Sequence, residues 1–102
     1  MKVYDSKTYR VATGCGKMIV TISYDEDGIH DVMAKLGKVG GCAASQTEAI
    51  SRLCHMLFTH KVGIADVVKQ LKGINCHMGN SCSDAVAEAL LKFKEFNEKT
   101  IP

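Results

Sequence analysis

Apolar positions alternate with polar ones over the first third of the chain, then switch to a spacing of three and four. Tyr9 and Val11 alternate with Arg10 and Ala12 before Gly14-Cys15-Gly16 interrupts the run, since paired glycines permit backbone angles that other residues avoid. From Lys17 to Tyr24 the period-two pattern predicts a strand. Met18, Val20, Ile22 and Tyr24 lie on one face, Ile19, Thr21 and Ser23 on the other. Asp25-Glu26-Asp27-Gly28 has the composition of a hairpin turn, with Asp27-Gly28 a favoured pair. Ile29 to Leu36 continues as a strand that places Val32, Ala34 and Leu36 on one side.

After Gly40-Gly41 the spacing predicts a helix from about Ala43 to His60. Its apolar stripe is Thr47, Ile50, Cys54 and Leu57, with Leu53 beside them. Lys61-Val62-Gly63 ends it. Ile64, Val67, Val68 and Leu71 then share one face of a shorter helix, with Gly73 as its C-terminal cap. An irregular stretch, Ile74 to Ser81, precedes the last helix, where Cys82, Val86, Ala89, Leu90, Phe93 and Phe96 share a face. Glu88, Lys92, Glu95 and Lys99 face water. Ser81 is positioned as N-cap, and Asp84 adds charge that favours that helix end. The order is β-β-β-α-α-α. This is an α+β fold: a small antiparallel sheet of two or three strands followed by three helices packed on one face. The other face of so small a sheet stays open for a partner or a second copy, so a homo-oligomer is expected.

Composition narrows the class. The 102 residues fit a single domain, residues 1–102, and 46% hydrophobic with 24% charged residues is ordinary for a globular protein. The net charge of +2 is too small and too dispersed to argue for nucleic acid by itself, so a nucleic-acid partner is not expected. No apolar run approaches the roughly 20 residues that span a bilayer, and Met1 to Val11 lacks the apolar core of a secretory signal. Five cysteines without such a signal imply a reducing, cytoplasmic setting. The odd count also rules out a complete disulfide framework within one chain.

The cysteines carry the strongest chemical signal. Cys54 sits mid-helix on the apolar stripe and reads as a small buried hydrophobe. Cys15, Cys42, Cys76 and Cys82 instead fall in loops or at element ends, where thiols from separate parts of a chain can meet. Four thiolates would suit a tetrahedral zinc ion. No pair has the tight spacing of a zinc finger, so inert packing and a redox-active cluster remain open readings. His77, next to Cys76, is a substitute ligand.

The second signal is Lys35-Leu36-Gly37-Lys38-Val39-Gly40-Gly41-Cys42-Ala43-Ala44-Ser45, which joins a strand to a helix. A helix N-terminus presents unpaired N–H groups and partial positive charge, and small side chains let an anion approach. Lys38, Gly40, Gly41, Cys42, Ala43, Ala44 and Ser45 are therefore candidates for holding a phosphate-bearing small molecule such as a nucleotide. The segment lacks both the P-loop ending and the dinucleotide fingerprint. A tight turn is the competing reading, and Ser45 with Glu48 forms a capping-box pattern. His55 and His60 lie on different helix faces, and His30 has no visible partner. No local arrangement supplies a nucleophile, base and orienting acid, so catalysis by this chain alone is not expected.

Five ordered motifs together resemble the TSCPD domain: Thr13-Gly14-Cys15-Gly16-Lys17, Lys35 to Ala43, Gln46-Thr47-Glu48-Ala49-Ile50, Lys69-Gln70-Leu71-Lys72-Gly73-Ile74 and Ser81-Cys82-Ser83-Asp84-Ala85. The resemblance covers about residues 10 to 95. The signature Thr-Ser-Cys-Pro-Asp reads Asn80-Ser81-Cys82-Ser83-Asp84 here, and a usual Cys-Pro reads Cys76-His77. In that family the domain forms the C-terminal part of adenosylcobalamin-dependent ribonucleotide reductases, or stands alone with four cysteines. The resemblance implies an accessory role, holding zinc or a nucleotide-type anion, or docking onto a ribonucleotide reductase. It does not carry over the reductase chemistry, whose catalytic barrel cannot fit in this length.

Overall fold

The alternation of the first third becomes a three-stranded antiparallel sheet, ordered β1 (Asp5–Thr13), β2 (Gly16–Asp25) and β3 (Gly28–Leu36). A computed structural model describes residues 3–14, 16–36, 42–76 and 79–100, with backbone only for 42–44, 75–76, 79–80 and 98–100. Strand β1 begins well ahead of its own alternating residues, because Asp5 is held opposite Tyr24 by the ladder to β2. The expected faces are found: Met18, Val20, Ile22, Val32 and Ala34 are buried, while Ile19 and Met33 are exposed.

One residue disturbs the alternation in β3. Counting back by twos from Val32 would turn His30 inward and Ile29 outward. The pairing instead steps from Ser23↔Asp31 to Tyr24↔Ile29, which leaves His30 as the extra residue of a bulge. Ile29 is thereby buried. His30 has partners after all: its ring stacks on Tyr4 at 4.3 Å, and Nε2 lies 2.7 Å from Asp25 Oδ1, off the ring's hydrogen-bonding direction. At the β2–β3 turn the positive φ, 124°, falls on Gly28. Asp25 Oδ1 accepts the Asp27 N–H at 2.8 Å.

The helices are α1 (Cys42–Thr59), α2 (Ile64–Leu71) and α3 (Cys82–Thr100). Helix α3 lies across the inner faces of β1 and β2, α2 packs on α3, and α1 runs along β3. Val86, Ala89, Leu90 and Phe93 of α3 complete one cluster with the inward strand residues, Cys54, Phe58, Val67 and Val68. Burial of such side chains is the main drive of folding. The stripe of α1 is rotated from the expected one. Cys54 and Phe58 are buried, but Leu53 and Leu57 are exposed, because α1 covers only the margin of the sheet.

Helix ends follow local chemistry. Lys61, with φ of 64°, ends α1 in the place where glycine is usual. The Lys61 N–H reaches Phe58 O and the Val62 N–H reaches Leu57 O, both at 3.0 Å, which is a Schellman closure. Gly73 is no helix cap. Lys72 (φ −71°, ψ 140°) and Gly73 (φ 84°) have the angles of the two central residues of a type II turn. The stretch expected to be irregular contains a small antiparallel hairpin, β4 (Asn75–Cys76) with β5 (Gly79–Asn80).

Candidate functional site

Direction along the sheet decides which loops meet. Helix α1 runs antiparallel to β3: the Ala34 N–H donates to Ser51 Oγ at 2.9 Å, and His55 Nδ1 lies 3.1 Å from Asp31 Oδ1. Its first turn therefore sits at the Leu36 end of the sheet. Helix α3 has its C-terminal half at the opposite end. There Phe93 and Phe96 pack edge-on to Tyr24 at centroid distances of 5.0 and 6.0 Å, and Lys7 Nζ lies 4.1 Å above the Phe96 ring. At about 1.5 Å per residue, α3 spans the length of the sheet, so its first turn returns to the Leu36 end. Strand β5 touches β1. The turn after Thr13, the first turn of α1, the β4–β5 hairpin and the first turn of α3 all belong to one end of the sheet.

Each expected metal ligand belongs to one of these segments. Cys82 opens α3 and is partly buried with a free thiol. Cys42 opens α1 and Cys76 pairs with Gly79 in the hairpin, both described by backbone alone. Cys15 and His77 lie outside the described residues, although Thr13 is paired with Gly16 across that turn. Among the described residues no three His, Cys, Asp or Glu side chains converge on a common point. Of the expected anion site, Lys38, Gly40 and Gly41 lie outside the described residues, and Cys42, Ala43 and Ala44 form the first turn of α1. Ser45 is not a cap. The helix begins at Cys42, which puts Ser45 inside it.

The start of α3 is fixed by its own motif. Ser81 Oγ accepts the Asp84 N–H at 3.1 Å and donates to Ile74 O. Asp84 Oδ1 accepts the Gly73 N–H at 2.7 Å. Ser81 is thus the N-cap, and Asp84 ties the turn after α2 to the helix that follows. The thiol between them starts from a backbone held by these hydrogen bonds.

Cys54 differs in every respect. It is 2% exposed, and loss of hydration pushes its pKa up to about 11. A thiol held protonated in an apolar core is inert.

A feature not anticipated from the sequence is a groove of about 710 Å³ between β3 and α1, walled by Asp31, Met33, Lys35, Glu48, Arg52 and His55. Ser51, His55 and Asp31 together have the composition of a hydrolytic triad, but they are not wired as one. Ser51 Oγ donates to Thr47 O at 3.0 Å, so its proton is directed away from His55. Asp31 Oδ1 also accepts the Val32 N–H at 2.9 Å. These contacts cap two N–H groups of β3. The only advance hint was Ser51 and His55 one helical turn apart.

The architecture defines a small α+β domain in which the first turns of α1 and α3 share one end of a three-stranded sheet. No helix among the described residues is long and apolar enough to cross a membrane. The chain belongs to the TSCPD domain family, whose model matches residues 2–94. No curated protein and no solved structure matches it.

Proposed function

We propose that the protein is a non-catalytic accessory module in which Cys15, Cys42, Cys76 and Cys82 hold one zinc ion. In this reading the first-turn amides of α1, with Lys38, Gly40 and Gly41, receive a phosphate-bearing, nucleotide-type ligand beside it. The observation that carries the reading is the shared end of the sheet: the turn after Thr13 and the starts of α1, β4–β5 and α3 lie there together. Four thiolates are the donor set of structural zinc sites, and such an ion would tie four chain segments together. Family membership supports an accessory role beside ribonucleotide reductase, in place of catalysis by this chain. The thiol-redox alternative draws nothing from Cys54, which is buried and protonated.

Elemental analysis of protein purified without chelator tests the metal half, with about one zinc per chain expected. Cys82→Ser should lower both the zinc content and the melting temperature. Absence of zinc, together with melting indifferent to EDTA, removes the metal. A panel of nucleoside phosphates should raise the melting temperature, as any ligand of the native state does. If none shifts it, the anion half is lost.

A further inference from the structure

The register of the sheet sorts charge on its outer face. From the Leu36 end the outward residues form rows: Lys17, then Arg10, Ile19 and Lys35, then Thr8, Thr21 and Met33, then Ser6, Ser23 and Asp31, and finally Asp25 beside the Glu26-Asp27 turn. Cations occupy the first two rows and carboxylates the last ones. Ile19, in the second row, is 41% exposed; in the row between the charges Met33 is 51% exposed, and the Thr8 and Thr21 hydroxyls lie 3.3 Å apart. Arg10, Lys17 and Lys35 have no ion-pair partner among the described residues. The face is uncharged at the centre, where Met33 lies beside the paired threonines, basic at one end and acidic at the other.

We propose that a second copy of the chain covers this face, related by a two-fold axis that crosses the strands at the Thr8–Thr21–Met33 row. That operation lays each strand over its own counterpart in the opposite direction. Met33 then meets Met33, Lys35 lies over Asp31 of the second copy, and Lys17 faces its Asp25 end. The alternative two-fold, parallel to the strands, stacks Lys17 on Lys17 and Arg10 on Lys35. Like charges brought together disfavour an interface, so electrostatics selects the first arrangement. Aligned sheets pack about 10 Å apart, within reach of a lysine and an aspartate from opposite sides. Strands of nine, ten and nine residues present roughly 440 Å² of flat area from standard strand spacings. A standard interface takes about 800 Å² per partner, so this contact falls at the small end of the range, where weak and transient complexes lie. The arrangement is closed and isologous, the commonest form of homodimer. It is independent of the zinc reading, because none of its contacts is a cysteine.

Light scattering of the full chain at roughly 100 µM, suited to an interface at the small end of the range, should give a mass near twice 11.1 kDa. Lys35→Asp sets carboxylate against carboxylate at both symmetric contacts and should weaken association at least tenfold, by an order-of-magnitude estimate. Asp31→Lys should do the same with two ammonium groups. Because Asp31 also accepts the Val32 N–H, circular dichroism must show that this variant is folded. Mixed in equal parts, the two variants should form a heterodimer, and Lys35→Asp with Asp31→Lys in one chain should restore the homodimer. A monomeric wild type overturns the proposal, whether or not an acidic peptide or an oligonucleotide then binds. So does a dimer indifferent to both reversals, or one broken only by Leu53→Asp on the exposed flank of α1.

Discussion

The two ends of the sheet are held in different ways. At the β2–β3 turn, Tyr24, Phe93 and Phe96 interlock, Lys7 lies over the Phe96 ring, and His30 sits between Tyr4 and Asp25. That end is closed by side chains. At the Leu36 end Val11, Met18, Ala85 and Val86 are buried without any aromatic ring among them, and local hydrogen bonds such as those of Ser81 and Asp84 fix the start of α3. An end that spends its bulk on packing gives stability. The Leu36 end gathers the starts of α1 and α3, and segments that join elements commonly carry function on a rigid scaffold.

Three measurements test that contrast. The largest effect should come from Phe93→Ala, which empties the middle of the closed end, where Phe93 is 1% exposed. A loss of about 3–5 kcal/mol is expected from urea unfolding. A value below about 1 kcal/mol, the size of a typical surface change, would mean that the aromatic end is ornamental. Next comes alkaline pH. The Cys54 pKa is raised from 9.0 to about 11 in the folded state, so the native protein holds that proton more tightly than the unfolded chain. Its contribution is complete below pH 9 and is lost as pH rises towards 11, on the order of 2 kcal/mol. Cys54→Val should flatten this part of the stability profile, and an unchanged slope would refute the assignment. The smallest effect is at the other end: Ser81→Ala removes the cap of α3 at a cost of about 1 kcal/mol. Hydrogen exchange should then rise first at the amides of Asp84 and Gly73, not in the strands.

Much of the fold could be read from alternation and helical spacing, because the inner residues of β2 and the buried face of α3 repeat without interruption. Where the reading failed, the deciding physics was not local. The His30 bulge depends on how β3 pairs with β2, and the rotated stripe of α1 depends on how little sheet lies beneath it. Strands β4 and β5 are two residues each, too short to show any period. Ser45 with Glu48 mimicked a helix start that lies at Cys42. Of the candidate site, the sequence could mark the cysteines as belonging to element ends, but bringing those ends together required the directions of α1 and α3. The Asp31–His55 contact spans 24 residues and has no sequence signature.

The hydrogen bond from Ala34 to Ser51 has a consequence for assembly by strand addition. A hydroxyl supplied by the chain's own helix occupies the position that a foreign backbone would need, and Asp31 does the same for Val32. Runaway polymerisation through exposed borders, the usual hazard of short sheets, is therefore blocked along β3. Any graft that extends the ribbon has to enter beside β1.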